Sequence, residues 1–228
     1  MLGDHATRKT PSRRTAVWAA AAGAAALLAA ATALHPATAS AGTGAPAGPA
    51  GAALAGPGLG SGSLIQSGDF YQQGLAPVRA TVGLTGAQAL SACSGEETMR
   101  DLTGAGAAGY AEVTWYFDTS GSLLTESLAA GSGGTAAAGY EKKLKALVRG
   151  CQDEPAGHWY YGKAHALTLP AGHATWYPAY DGDGTASGGV AVVRAGARVG
   201  VLEVTGQPTD DPGYVQGLAA AAVDRLPS

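Results

Sequence analysis

The sequence predicts an α+β fold: an antiparallel sheet of about five to six strands, about three helices packed on one face, and one disulfide. Three observations lead there. Segments of strict polar–apolar alternation come in pairs joined by short Gly-rich turns. Other segments carry apolar residues at helical spacing, and the only two cysteines each sit at the end of such a segment.

Taken in order, Thr85 is a plausible N-cap, and Gly86, Leu90 and Cys93 at i, i+4 and i+7 share one face of a short helix closed by Gly95. Glu96 to Leu102 also has a helical pattern. In Tyr110 to Asp118, the residues Ala111, Val113, Trp115 and Phe117 alternate with Glu112, Thr114, Tyr116 and Asp118, as in a strand with one wet face. Asp118 to Ser122 is a turn, and Leu123 to Leu128 returns as the hairpin partner.

Tyr140, Leu144, Leu147, Val148 and Cys151 form the apolar stripe of a second helix, with Glu141, Lys142, Lys143, Lys145 and Arg149 on its wet side. Trp159 to Leu169 and Ala174 to Tyr180 are further strands, separated by Pro170-Ala171-Gly172. Val190 to Arg194 and Arg198 to Val204 form a hairpin around Ala195-Gly196-Ala197. The last helix takes Asp211 as N-cap and Pro212 in its first turn, with Val215, Leu218, Ala219, Ala222, Val223 and Leu226 on one stripe.

The N-terminus sets the expected compartment. Arg8, Lys9, Arg13 and Arg14 precede an uncharged, Ala-rich run from Thr15 to Leu34, then Pro36 and Ala39-Ser40-Ala41. A basic start, an apolar core and an A-x-A site predict a secretory signal peptide over residues 1–41, cleaved after Ala41. The alternative is retention of the apolar run as a membrane anchor. Ser12-Arg13-Arg14 resembles a twin-arginine export signal, but Thr15, Ala16 and Val17 are not the larger apolar residues that signal carries, so both export routes stay open.

Residues 42–64 are almost wholly Gly, Ala, Pro and Ser, a composition that buries too little to offset its ordering entropy, and are expected to form a disordered linker. Residues 65–228 remain as a single domain. Without the signal peptide the chain keeps ten cations against sixteen acids, a balance that argues against nucleic acid as a partner.

Leu90-Ser91-Ala92-Cys93 resembles a lipoprotein signal, but Cys93 lies far beyond the apolar run that such a cysteine must follow. With Cys151 it is most simply half of a disulfide. Closing so long a loop stabilises a fold by about 4 kcal/mol on the chain-entropy view.

Other motifs fail on context. Gly104-Ala105-Gly106-Ala107-Ala108-Gly109 matches a dinucleotide fingerprint, which must follow a strand and open a helix, whereas here the order is reversed. Asp181-Gly182-Asp183-Gly184 begins like a calcium loop, yet Val192 stands at the position that needs a glutamate. His158, His165 and His173 lack the short-range spacing of metal ligands, and no serine sits in a nucleophile elbow. No cofactor and no metal site is expected. The densest aromatic region is His158-Trp159-Tyr160-Tyr161 with Trp176-Tyr177 and Tyr180. It reads either as sheet core with cross-strand pairs or as a ligand cleft, for which His158, Tyr160, Tyr161, His165 and Trp176 are the candidate residues.

A short helix ending in Leu90-Ser91-Ala92-Cys93, a strand hairpin, a helix Tyr140-x-x-x-Leu144-x-x-Leu147 ending in Cys151, a strand pair through Val192-Val193-Arg194-Ala195-Gly196 and a final Ala-rich helix together resemble the PknH-like extracellular domain. That family supplies sensor modules of bacterial receptor serine/threonine kinases and also occurs as stand-alone secreted or lipid-anchored proteins. The resemblance spans residues 65–228 and implies a compact α+β domain with a cleft for an unidentified ligand. The sequence departs from the family in having one cysteine pair where members commonly have two, and in carrying no kinase domain.

The expectation is therefore a secreted, monomeric, non-enzymatic sensor-like or ligand-binding domain of the bacterial cell envelope. Its partner would be an unidentified small molecule or envelope component, with no stable membrane insertion after signal cleavage. The alternatives are a secreted hydrolase whose groups meet only in the fold, and an envelope protein-interaction module.

Overall fold

The computed structural model describes residues 58–226, except Ala92, Thr119 and Ser120. The expected signal peptide, its Ala41 cleavage site and most of the expected linker lie outside the described residues. Two residues assigned to that linker do not behave as one: Leu59 and Leu64 are buried, on either side of a 3-10 turn at Ser61–Ser63. A longer 3-10 helix, Ser67–Gln73, follows and places Phe70 in the core.

One antiparallel sheet organises the domain. Its strands are β1 (Pro77–Gly83), β2 (Gly109–Phe117), β3 (Leu123–Ala130), β4 (Tyr160–Tyr161), β5 (His165–Leu167), β6 (His173–Tyr180), β7 (Ala186–Ala195) and β8 (Arg198–Thr205). The order across the sheet is β1-β2-β3-β8-β7-β6-β4, with β5 also on β6. The helices are α1 (Met99–Thr103), α2 (Gly134–Gly150) and α3 (Pro212–Arg225). The mixed α/β architecture, the antiparallel sheet and the single disulfide are as expected, with eight strands rather than five to six.

The helices do not share one face, which corrects the expected layering. Along β7, Val190 and Val192 pack with Leu144 and Val148 of α2, while Ala191 and Val193 pack with Leu218, Ala222 and Val223 of α3. A strand apolar at both parities must be covered on both sides, and the run Val190-Ala191-Val192-Val193 carries that signal in the sequence. The face that meets α3 also receives Leu59, Leu64 and Phe70, and the opposite face receives α1 and α2.

Other elements depart locally. Among the described residues between Thr85 and Gly95 no helix forms; Gly86, expected in its first turn, has a φ of 70°, in the left-handed region a helix interior excludes. The segment is a loop closed by an Ala89–Thr98 bridge. The helix expected from Glu96 begins only at Met99, because Thr98 caps it: its hydroxyl accepts from Asp101 N, and the Asp101 carboxylate accepts from Thr98 N. The strand expected from Trp159 to Leu169 is broken into β4 and β5 at Gly162, whose N–H donates to Pro178 O beside the Tyr180 ring. β1 was not anticipated, since it is exposed along most of its length and leaves no burial pattern to read.

Candidate functional site

The face carrying α1 and α2 is where the polar chemistry gathers. In β2, Glu112 belongs to the alternation expected to face water, but it is only 6% exposed. The loop at residues 84–98 covers it. Thr85 Oγ1 donates to Glu112 Oε1 at 2.9 Å and Gln88 N donates to Oε2 at 3.2 Å. The Gln88 side chain bridges β2 and β3, donating from Nε2 to Ser127 Oγ at 3.3 Å and accepting at Oε1 from Thr114 Oγ1 at 3.0 Å. Gly83 stands opposite Glu112 in the β1–β2 register, and a Cβ there would lie 2.5 Å from Glu112 Oε1.

The disulfide holds this loop down. Cys93 and Cys151 are bonded with Cα atoms 6.0 Å apart, within the ordinary span of a disulfide, so the loop is tied to the C-terminal end of α2. Just beyond, Tyr161 N donates to Cys151 O at 3.0 Å, and the Tyr161 hydroxyl donates to Glu203 Oε1 at 3.1 Å. Burial and the neighbouring Glu203 charge push the phenol well above its usual range, so it stays a donor. Trp159 packs edge-on against Tyr161, with centroids 4.6 Å apart.

Where α2 gives way to the following loop, a concavity of about 470 Å³ opens to solvent. Gln152, Glu154, His158, Tyr160 and Asp183 supply its polar side chains. Its floor is a meeting of two turns, in which Gly157 and Gly182 approach so closely that a Cβ on Gly182 would overlap the Gly157 carbonyl. One wall is stiffened by stacking of Tyr160 on Tyr180 at 5.3 Å, and the Tyr180 hydroxyl donates to Asp210 Oδ2 at 3.1 Å.

The five residues singled out in the aromatic region are therefore dispersed. His158 and Tyr160 line the concavity. Tyr161 points to the other side of the strand and is buried in the α2-side core, in the Glu203 network. Trp176 is 1% exposed on the opposite face, packed with Leu202 and Val215, and His165 pairs with it in the β5–β6 register as an exposed residue. The alternation of the strands separates them: adjacent positions in a sheet point to opposite sides. What sequence reading missed is the role of Gln88 and Glu112, whose pairing depends on a loop crossing the sheet.

His158, His165 and His173 are exposed, and none makes a hydrogen bond to a serine or an acid among the described residues. Among the described residues no group of three or more His, Cys, Asp or Glu is gathered for a metal ion, and no helix is long and apolar enough to cross a membrane.

The opposite face holds a buried carboxyl. Glu126 is fully buried in β3, with Oε2 accepting from Ile65 N at 2.7 Å and Oε1 without a partner among the described residues. Burial pushes its pKa up to about 8; the Ile65 N–H and Arg225 pull the other way, while Asp69 adds to the rise. Beside it, Asp69 and Arg225 form a bidentate pair at 2.6 and 2.9 Å.

No family model matches the chain, and no curated protein matches it. Among solved structures the chain is similar to the extracellular domain of PknH from Mycobacterium tuberculosis, at 14% identity and a TM-score of 0.49, over 72% of this chain and 93% of that one.

Proposed function

We propose that this is a secreted, non-enzymatic sensor-like domain of the bacterial cell envelope that binds a small ligand in the concavity at His158 and Tyr160. The observation that carries the reading is the bracing of that concavity. A disulfide, a Tyr161–Cys151 backbone bond, a Gly157–Gly182 contact and a Tyr160–Tyr180 stack all fix its rim, while His158, Glu154 and Asp183 remain exposed on it. A rigid concave surface with an aromatic wall and both donors and acceptors suits binding at low entropic cost. The disulfide supports an oxidising compartment outside the cytoplasm.

Native mass spectrometry of the protein recovered from its own secretion medium tests this. The expected result is a retained small-molecule mass that disappears in Tyr160→Ala at unchanged melting temperature. A retained mass that persists in Tyr160→Ala counts against this site, and finding no retained mass and no stabilisation by a panel of envelope-derived small molecules counts against ligand binding.

A second reading, an interaction module, is favoured by β1. Val78 and Val82 are 65% and 50% exposed on this edge strand, and Leu84 just beyond it is 54% exposed. Analytical ultracentrifugation of the wild type and Val82→Glu separates the readings: self-association abolished by the substitution would support the module.

A further inference from the structure

Although the domain is acidic overall, Lys142, Lys143, Lys145 and Arg149 all lie on α2, and Arg194 of β7 reaches the same helix. A groove of about 440 Å³ runs beside two of them, Lys145 and Arg194, between α2 and the β5–β6 edge. The β6–β7 register sets His173 opposite Arg194, and strand alternation puts both, with Thr175, on the side that α2 covers.

The polar side chains lining this groove are Glu141, Lys145, Thr168, His173, Thr175 and Arg194. All but Glu141 can donate a hydrogen bond. Glu141 is already used at both oxygens: Oε1 meets Lys145 Nζ at 2.7 Å and Oε2 accepts from Arg194 Nε at 2.6 Å. Burial alone would raise its pKa, but the two cations hold it below the usual carboxylate range, so it remains ionised. One carboxylate between two permanent cations leaves a positive charge over. The Lys145 and Arg194 side chains are 27% and 23% exposed, so that charge is screened less than it would be on an open surface.

We propose that this groove binds an anionic oxygen group, a phosphate or a carboxylate, with Lys145 and Arg194 as its charged anchors and His173, Thr168 and Thr175 as supporting donors. Arg194 supplies a planar, permanently charged fork, the geometry that suits either group. Glu141 holds both cations in position and competes with the ligand for them. The groove is distinct from the concavity at His158 and Tyr160, and the two readings fail separately.

The test is an NMR titration of the His173 ring protons with inorganic phosphate and with acetate, against sodium chloride at matched ionic strength. The expected result is a saturable shift with phosphate or acetate and none with chloride; the tighter of the two identifies the ligand group. Arg194→Gln weakens the binding by about tenfold and Lys145→Gln by about threefold, while Glu141→Gln, which frees both cations, tightens it about threefold. Should Arg194→Gln fail to fold, the opposite signs of Lys145→Gln and Glu141→Gln still decide. A shift that tracks ionic strength alone, or a Glu141→Gln variant that binds more weakly, overturns the proposal and leaves the cluster as a tie between α2 and β7.

Discussion

On one face of the sheet, α3 lays Val215, Leu218, Ala219, Ala222 and Val223 against apolar strand residues. On the other, the loop at residues 84–98 lays the Gln88 amide against Glu112, Thr114 and Ser127, and a disulfide keeps it there. The first arrangement is driven by removing apolar surface from water, which needs no fixed direction and is worth about 2 kcal/mol per large side chain. The second consists of directional bonds worth about 1 kcal/mol net each, for which a loop must first be ordered. A polar network that contributes so little per contact is held by a covalent restraint, which ties the loop to the C-terminal end of α2 next to the concavity.

Breaking the restraint gives the largest expected effect. Cys93→Ser with Cys151→Ser lowers stability by about 3–4 kcal/mol in urea unfolding. Hydrogen exchange should accelerate at Leu90 and Gln88 while the α3 face keeps its protection. Equal loss on both faces would mean that they unfold as one cooperative unit and do not differ in what holds them.

The apolar face is sharpened at its fully buried carboxyl, Glu126. Because the Glu126 pKa is raised to about 8 in the fold, the folded state keeps a proton that the unfolded chain releases at its ordinary carboxylate value. Stability from this group is therefore fully present below about pH 4.5 and is lost as pH rises towards about 8. Glu126→Gln, which cannot ionise, should match the wild type at pH 4 and exceed it by about 2 kcal/mol at pH 6 in thermal melts. A constant difference across that range would remove the titration from the account.

The smallest effect belongs to the polar network itself. Gln88→Ala should cost about 1 kcal/mol by urea unfolding, since water can replace the partner of the half-buried Thr114 and only the buried Ser127 loses one outright. A cost of about 3 kcal/mol or more would show a network far more cooperative than its separate bonds.

Much of the fold was legible beforehand. The β2–β3 and β7–β8 hairpins, α3 with its Asp211 cap, and the joining of Cys93 to Cys151 all follow from local period, turn residues and compartment. Legibility fell away where burial was not local. The strand β1 has no buried face to produce a pattern, and Thr85 to Gly95 shows helical spacing of Leu90 and Cys93 by coincidence, with left-handed glycines at both ends. The candidate site was legible only in part. His158 and Tyr160 share the concavity, whereas Tyr161 and Trp176 differ in parity along their strands and are buried on opposite sides.

By itself the sequence determined which segments pair, which stripe of each long helix is apolar, and that the two sulfurs can meet, because periodicity and turn chemistry act over a few residues. Only the tertiary structure decided that both sheet faces are covered, that Glu112 is buried under Gln88, and that Arg194 of β7 meets Glu141 of α2. Those outcomes join residues dozens of positions apart, and no local spacing encodes which distant side chain will supply the missing partner.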